Sequence, residues 1–311
     1  SGLDALLLAL KAYNFPPNSE VIVPSNTYIA TILAIIHAGL KPVLVEPDIR
    51  TYNIDTRLIE EKITNRTVAI MVVHLYGKPC EMGYVSRIVK KFDLKLIEDA
   101  AQSHGAKWRD KLTGTFGDFG AFSFYPTKNL GAFGDAGCLI TNNEILALKV
   151  RRLANHGGLT KDEHLFEGVN SRLDSLQAAI LQVKLNFVSS WTAIRKTLAE
   201  VYLDHFKSVP EIILPRIDEP TAHVFHLFVI RVQKREELQA YLGERGIQTL
   251  IHYPKAIPFE PAYTYLSHSE NDFPVAAQLQ HDVLSLPLHP FLSQKQIEYV
   301  CEAIISFYDR N

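Results

Sequence analysis

The sequence predicts an α/β fold in which a mostly parallel central sheet is flanked by helices and followed by a smaller α+β part. Three features predict it. Between Asp4 and about Asp118, strand-like runs alternate with helical patterns, as βαβ units require. Thr67–Val73 is an unbroken run rich in β-branched residues, suited to a strand covered on both faces. A long helical pattern from Arg172 to about Phe206 then leads into a region where strands and helices are fewer.

In order, Asp4–Tyr13 has helical spacing and ends at the Asn14–Pro17 turn. Glu20–Val23 is a short strand stopped by Pro24. Tyr28–Ala38 is an apolar helix closed by Gly39. Pro42–Val45 reads as a strand, Asp55–Thr64 as a helix N-capped by Asp55, Met82–Phe92 as a helix and Lys95–Glu98 as a strand ending at Asp99. Gly120–Phe124 is a further strand. Beyond the long helical stretch, which is expected to break or to bridge two domains, come a strand at His223–Val232, a helix at Arg235–Arg245, a short strand at Gln248–Ile251 and terminal helices. The boundary is placed so that one domain spans 1–185 and the other 186–311; a chain of 311 residues suits about two domains.

Composition narrows the function. A hydrophobic fraction of 47% with 21% charged residues excludes a disordered chain. Lys and Arg number 32 against 34 Asp and Glu, so no global basic field points to nucleic acid. Apolar stretches such as Ile29–Ile36 are too short to span a bilayer. Cys80, Cys138 and Cys301 are isolated and odd in number, which argues against disulfides and structural zinc and for reduced thiols in a cytoplasmic protein. Ser1-Gly2 reads as a loop rather than a start, so an N-terminal segment is expected to precede it.

Three stretches carry chemistry. In Ser123-Phe124-Tyr125-Pro126-Thr127-Lys128-Asn129, a strand runs into a proline turn and a lysine among aromatic and small residues. Burial of that amine would lower its pKa and free it as a nucleophile toward aldehydes; the bland alternative is a surface lysine on a glycine-rich turn. In Leu96-Ile97-Glu98-Asp99-Ala100-Ala101-Gln102-Ser103-His104-Gly105, Asp99 stands at the carboxyl end of an apolar strand, where open α/β sheets bind ligands; its bland alternative is a helix N-cap. Strand alternation turns Glu98 the opposite way. Ser1-Gly2-Leu3-Asp4 opens a helix whose free amides can hold an anion. His223 and His226, three apart in a strand-like run, make a poor metal pair and are read as structural, and no other metal site is expected. Gly131, Gly134 and Gly137 do not form a dinucleotide fingerprint.

An amine, a strand-end carboxylate and an anion-binding helix N-terminus are together what pyridoxal 5′-phosphate requires. The chain resembles the sugar-nucleotide aminotransferase (DegT-like) family of fold-type I pyridoxal-phosphate enzymes. The resemblance is carried by Val23–Tyr28, His74-Leu75-Tyr76-Gly77, Glu98–Gln102, Ser123–Asn129, Asn170-Ser171-Arg172-Leu173-Asp174, Ile251-His252-Tyr253-Pro254 and Leu286–Pro290, collinear over nearly the whole chain. It implies that residues 1–185 bind the cofactor. Lys128 is then the amine that holds the aldehyde, Asp99 the partner of the pyridine nitrogen, Gln102 a neighbour of the ring hydroxyl and Tyr28 a ring-stacking residue. Gly2, Leu3 and Ser123 hold the phosphate, with Asn170 reaching it from a second subunit, so that the unit is a homodimer with a shared site. Tyr125, His252 and Tyr253 line the sugar side. Leu3 stands where many members carry Thr, which leaves only backbone contact there. The implied reaction moves an amino group from an amino acid, expected to be L-glutamate, to a nucleotide-linked keto-6-deoxysugar for deoxyaminosugar and polysaccharide biosynthesis. Val21–Ala34, Val45–Asp48, Thr51–Asp55 and His223–Arg231 most resemble enzymes acting at C3 of dTDP sugars. The alternatives are 4-keto amination and a non-catalytic regulatory relative; a sugar dehydratase, associated with histidine in place of the lysine, is disfavoured by Lys128.

Overall fold

The computed structural model describes residues 1–217 and 221–309. Helix α1 (Gly2–Tyr13) is N-capped by Ser1, whose hydroxyl accepts from the Asp4 amide, and ends at Asn14 in the left-handed region. It is followed by β1 (Glu20–Pro24), α2 (Ile29–His37), β2 (Lys41–Val45), β3 (Thr67–Val73), α3 (Met82–Phe92), β4 (Lys95–Asp99), the short strands β5 (Lys107–Trp108) and β6 (Lys111–Leu112), β7 (Phe119–Ser123) and β8 (Gly137–Ile140). The strands order as β2-β1-β3-β4-β7-β8, parallel except for the last pair. After β8 come α4 (Glu144–Leu153), α5 (Ser175–Leu185), α6 (Val188–Phe206), β9 (Ile212–Ile213), β10 (Thr221–Ala222), β11 (Phe228–Val232), α7 (Arg235–Gly243), α8 (Pro274–Asp282), β12 (Val283–Leu286) and α9 (Gln294–Asp309). Strands β12, β11 and β9 form an antiparallel sheet.

The period-2 alternation of the central strands sorts their side chains into two cores. Val21, Val23, Ala69, Met71 and Ile97 pack under α1 and α2. Ile22, Ile70, Val72 and Leu96 pack against Val85 and Ile88 of α3. The antiparallel sheet has its own core, in which Phe228, Ile230 and Leu284 meet Tyr202 and Phe206 of α6 and Ile304 of α9. The chain between β11 and β12 also returns to the first core, where Ile257, Tyr263 and Phe273 are buried.

Several expected elements are corrected. Asp55 does cap the turn that follows, through the Arg57 amide at 3.0 Å, but Asp55–Thr64 forms two 3₁₀ turns, Thr56–Leu58 and Glu60–Lys62, not an α-helix. Ile59 is the fully buried residue there, and Ile63 is already extended toward β3, so there is no long apolar face for a helix to bury. The strand expected at His223–Val232 begins only at Phe228, because Phe225 takes a positive φ of 46°. The long helical stretch begins at Ser175, not Arg172, and breaks at Asn186 and Phe187. Gln248–Ile251 contributes a single bridge, Leu250 to Ser285.

Glu98 and Asp99 face opposite sides of β4. Glu98, fully buried, accepts from the amides of Gly114, Phe116 and Gly117 at 2.6–2.7 Å. It also pairs with His74 Nε2 at 2.9 Å, while His74 Nδ1 accepts from the Cys80 amide. This carboxylate therefore organises the turn that feeds β7. Replacing Glu98 with Ala strands three buried amides, and a loss of roughly 3–5 kcal/mol is expected in urea unfolding, with Glu98→Gln losing less. An unchanged midpoint for Glu98→Ala would contradict that role.

Candidate active site

A parallel sheet aligns the carboxyl ends of its strands, and the crevice outside them is the natural ligand site. Here β2 and β3 leave β1 on opposite sides, and the loops after β1, β4 and β7 open into one cavity of about 1210 Å³. Thr27 and Tyr28 enter it after β1, Asp99 and Gln102 at the end of β4, and Ser123 and Tyr125 through Asn129 at the end of β7.

Asp99 is 6% exposed. Its Oδ2 accepts from Thr31 Oγ1 at 2.9 Å and its Oδ1 from the Ala101 amide at 3.1 Å. No helix begins there, so the N-cap alternative falls. Thr31 is the one hydroxyl on the buried face of α2, held in turn by Thr27 at 2.8 Å. Burial raises the Asp99 pKa, opposed by the Ala101 and Thr31 hydrogen bonds and by the nearby Lys128 charge. Lys128 is partly buried, and its pKa is lowered by loss of water, with Asp99 pulling in the opposite direction. Each group is thus within electrostatic reach of the other across the cavity.

The loop that carries Lys128 is fixed from several directions. Its amide donates to Tyr125 O at 2.8 Å. Asn129 Oδ1 meets His226 Nδ1 at 3.1 Å, and Lys184 Nζ donates to Gly131 O at 2.7 Å. Leu130, Ala132 and Ala136 pack on Leu181 of α5.

A second wall comes from distant sequence. Gln102 Nε2 donates to Tyr253 Oη at 3.0 Å, and its Oε1 accepts from the Tyr76 amide. Tyr76 Oη donates to His252 O, and His252 Nδ1 pairs with Ser285 Oγ at 2.8 Å. The Tyr28 and Tyr253 rings lie 5.7 Å apart at a tilt. On the opposite side the N-terminus of α1 abuts Ser123: a Cβ on Gly2 would stand 2.8 Å from Ser123 Cβ, so only glycine allows this approach.

The structure brings Gly2, Leu3, Tyr28, Asp99, Gln102, Ser123, Tyr125, Lys128, His252 and Tyr253 to the lining of one cavity. Asn170 is elsewhere, exposed and accepting from Arg172 Nε at 3.1 Å. Sequence reasoning missed Thr31, whose signal was a hydroxyl inside an apolar helix. It also took His226 as merely structural because a strand was expected there, and the turn at Phe225 instead sends it to the cavity. Among the described residues no group of three or more His, Cys, Asp or Glu could hold a metal ion. No helix among them is long and apolar enough to cross a membrane.

The model of the DegT/DnrJ/EryC1/StrS aminotransferase family matches residues 1–305. The chain belongs to that family. A relative from Aneurinibacillus thermoaerophilus, dTDP-3-amino-3,6-dideoxy-alpha-D-galactopyranose transaminase, is 53% identical over 304 residues, covering 98% of this chain and 83% of its own length. The crystal structure of DesV from S. venezuelae in complex with a ketimine intermediate is similar with a TM-score of 0.96 at 43% identity, covering 99% of this chain and 83% of that one. NtdA from Bacillus subtilis with bound cofactor PMP is similar with a TM-score of 0.89 at 34% identity, over 98% of this chain and 71% of that one. For this aminotransferase, as for its structural neighbours, the architecture is the expected fold-type I arrangement.

The electrostatics of the cavity are testable on the protein without cofactor. Lys128 should become reactive toward acetic anhydride at lower pH than a solvent-exposed lysine side chain, because burial disfavours its charged form. Asp99→Asn removes the contribution that raises the Lys128 pKa, so its labelling midpoint should fall further. A midpoint that does not fall in competitive labelling would show that the two groups do not face one another.

Proposed function

We propose that this chain is a pyridoxal 5′-phosphate-dependent transaminase that moves the amino group of L-glutamate to C3 of a dTDP-linked keto-6-deoxysugar. The observation that carries the reading is the convergence of Asp99 and Lys128 on one cavity at the strand ends.

The residues present fit the cofactor. Asp99 is a buried carboxylate whose hydrogen-bond partners among the described residues are a hydroxyl and an amide, which leaves it suited to a protonated ring nitrogen. Helix α1 and Ser123 approach closely enough for the Gly2 and Leu3 amides and the Ser123 hydroxyl to share one phosphate. When bound, the cofactor supplies an aldehyde and an electron-accepting ring. Lys128 would hold that aldehyde and, as a free amine, would carry the proton from the Cα of the amino acid to the former aldehyde carbon of the cofactor. Asp99 would keep a proton on the ring nitrogen. Gln102, itself oriented by Tyr76 and Tyr253, would meet the ring hydroxyl, and Tyr28 would stack on the ring. Burial lowers the pKa of His252 to about 4, so it meets a substrate hydroxyl as a neutral imidazole. His104, also pushed down to about 4, and His226 are likewise kept neutral, so none of the three competes as a cation for Asp99.

The C3 reading is supported by the 53% identical relative, which is named for a 3-amino sugar. A homodimer with Asn170 reaching the partner's phosphate site, glutamate as donor, a cytoplasmic location and a role in polysaccharide biosynthesis belong to the same proposal. So does the division into a cofactor-binding domain, 1–185, and a smaller domain, 186–311, of which 218–220, 310 and 311 lie outside the described residues. The helix break at Asn186 and the separate core around β11 support that division.

Borohydride treatment in the presence of pyridoxal 5′-phosphate should fix the cofactor's mass on Lys128, and Lys128→Ala should abolish that label. Asp99→Asn should slow the glutamate half-reaction by roughly 10- to 1,000-fold, with a smaller effect on cofactor affinity. The loaded protein should aminate a dTDP-3-keto-6-deoxyhexose. A label on another lysine would overturn the site, and turnover of a 4-keto sugar alone would overturn the C3 assignment.

A further inference from the structure

Three imidazoles lie within electrostatic reach of Lys128: His104, His226 and His252. Their ring nitrogens are engaged differently. Both nitrogens of His104 are sealed from water and unpartnered among the described residues. His252 Nδ1 faces the Ser285 hydroxyl, which can give or take the hydrogen, so either tautomer satisfies that contact. The state of His226 is instead dictated by its neighbours.

Asn129 Nδ2 donates to Val224 O at 3.3 Å, and a carbonyl can only accept. The Asn129 amide is therefore turned with its oxygen toward His226 Nδ1, 3.1 Å away, and Nδ1 carries the hydrogen between them. Burial, followed by the charges of Lys128 and Arg195 and by the neighbouring His104 and His252, holds the His226 pKa well below its ordinary value. The ring thus has a single N–H, on Nδ1, and Nε2 is a bare lone pair. Among the described residues Nε2 has no hydrogen-bond partner, yet it is not one of the polar atoms sealed from water. It opens on the cavity that His226 lines. The backbone behind the ring is fixed, because Arg195 donates to the carbonyls of Phe225 and His226 at 3.2 and 3.4 Å.

Lys128 needs such an acceptor. Its amine is stripped of water, and Asp99 is the charge that favours its ammonium form. With pyridoxal 5′-phosphate in the cavity, Asp99 is committed to the ring nitrogen, at the opposite end of the pyridine ring from the aldehyde carbon. A lysine working at that carbon must find another partner, and His226 is tied to the very next residue, Asn129. A neutral imidazole holds an ammonium more loosely than a carboxylate does, so the lysine can be kept in place and still give its proton up.

We infer that His226 is a positioning residue whose Nε2 accepts a hydrogen bond from the Lys128 amine whenever that amine is free, holding it at the reacting carbon between proton transfers. The inference rests on the transaminase reading above and adds what receives the released lysine.

The chain has 12 histidines, and the ¹⁵N signals of His226 are identified by their loss in His226→Asn. In the full chain, both without cofactor and with pyridoxamine 5′-phosphate, the cofactor form that leaves Lys128 untethered, His226 should be the neutral tautomer protonated on Nδ1. Its Nε2 signal should move in Lys128→Ala. Two variants separate the lone pair from the Asn129 contact. His226→Asn keeps a donor where Nδ1 stands and removes the acceptor, whereas His226→Gln can place an oxygen where Nε2 stands. The acetylation midpoint of Lys128 should fall by about half a pH unit in His226→Asn and stay near wild type in His226→Gln. In the glutamate half-reaction, His226→Asn should lower kcat roughly 10-fold with KM unchanged, and His226→Gln should recover much of that loss. A proton on Nε2, an Nε2 signal indifferent to Lys128→Ala, or a Gln variant as impaired as the Asn variant overturns the inference. Borohydride labelling of Lys128 in the same preparations separates the two readings. A label without an Nε2 response removes the role of His226 and spares the transaminase, whereas an Nε2 response without a label does the reverse.

Discussion

An ionised carboxylate taken out of water must be repaid by hydrogen bonds and by an opposite charge, and Asp99 sits under that constraint at the end of a strand buried on both faces. Thr31 and the Ala101 amide supply the first of these, and both are fixed by the sheet and by the helix covering it. What remains is a negative site that a cation in the cavity completes. Lys128 supplies part of that field from the neighbouring strand end. The nearby amine and a positively charged aromatic ring both suit this one buried charge.

The lysine can serve only if its loop does not wander. That rigidity is drawn from elements far apart in the chain: His226 just ahead of β11 holds Asn129, Lys184 at the end of α5 holds Gly131, and Leu181 packs beneath the loop. Gln102 is treated alike, clamped between Tyr76 after β3 and Tyr253 near β12. The residues proposed to touch the cofactor are thereby supported by residues that do not, which is how a site keeps its geometry.

Much of the site could be read before folding was considered. Asp99 at a strand end, Lys128 after a proline turn and Gly2 at a helix start are each local signals, and the opposite facing of Glu98 and Asp99 is a direct consequence of strand alternation. Thr31 was harder, because its helix looks apolar throughout and only the packing of α2 against β4 shows what its hydroxyl meets. His226 was misread because one left-handed residue, Phe225, ended the apparent strand early, and no propensity announces a positive φ at phenylalanine. A ring cluster, Phe187, Trp191 and Phe291, joins positions about a hundred residues apart and has no signature in either segment.

By itself, the sequence determined the alternation of strands and helices through β4, the two-sided burial of the central strands and the choice of Lys128 and Asp99 as candidate amine and carboxylate. These depend on periodicity and on near neighbours, both of which are written in the chain. Only the tertiary structure decided that the amine and the carboxylate share one cavity, that Thr31 orients the latter, and that aromatic and basic side chains from the second half close the cavity's far end. Those are contacts between elements whose separation in sequence carries no record of their distance in space, and they exist only once the cores have packed.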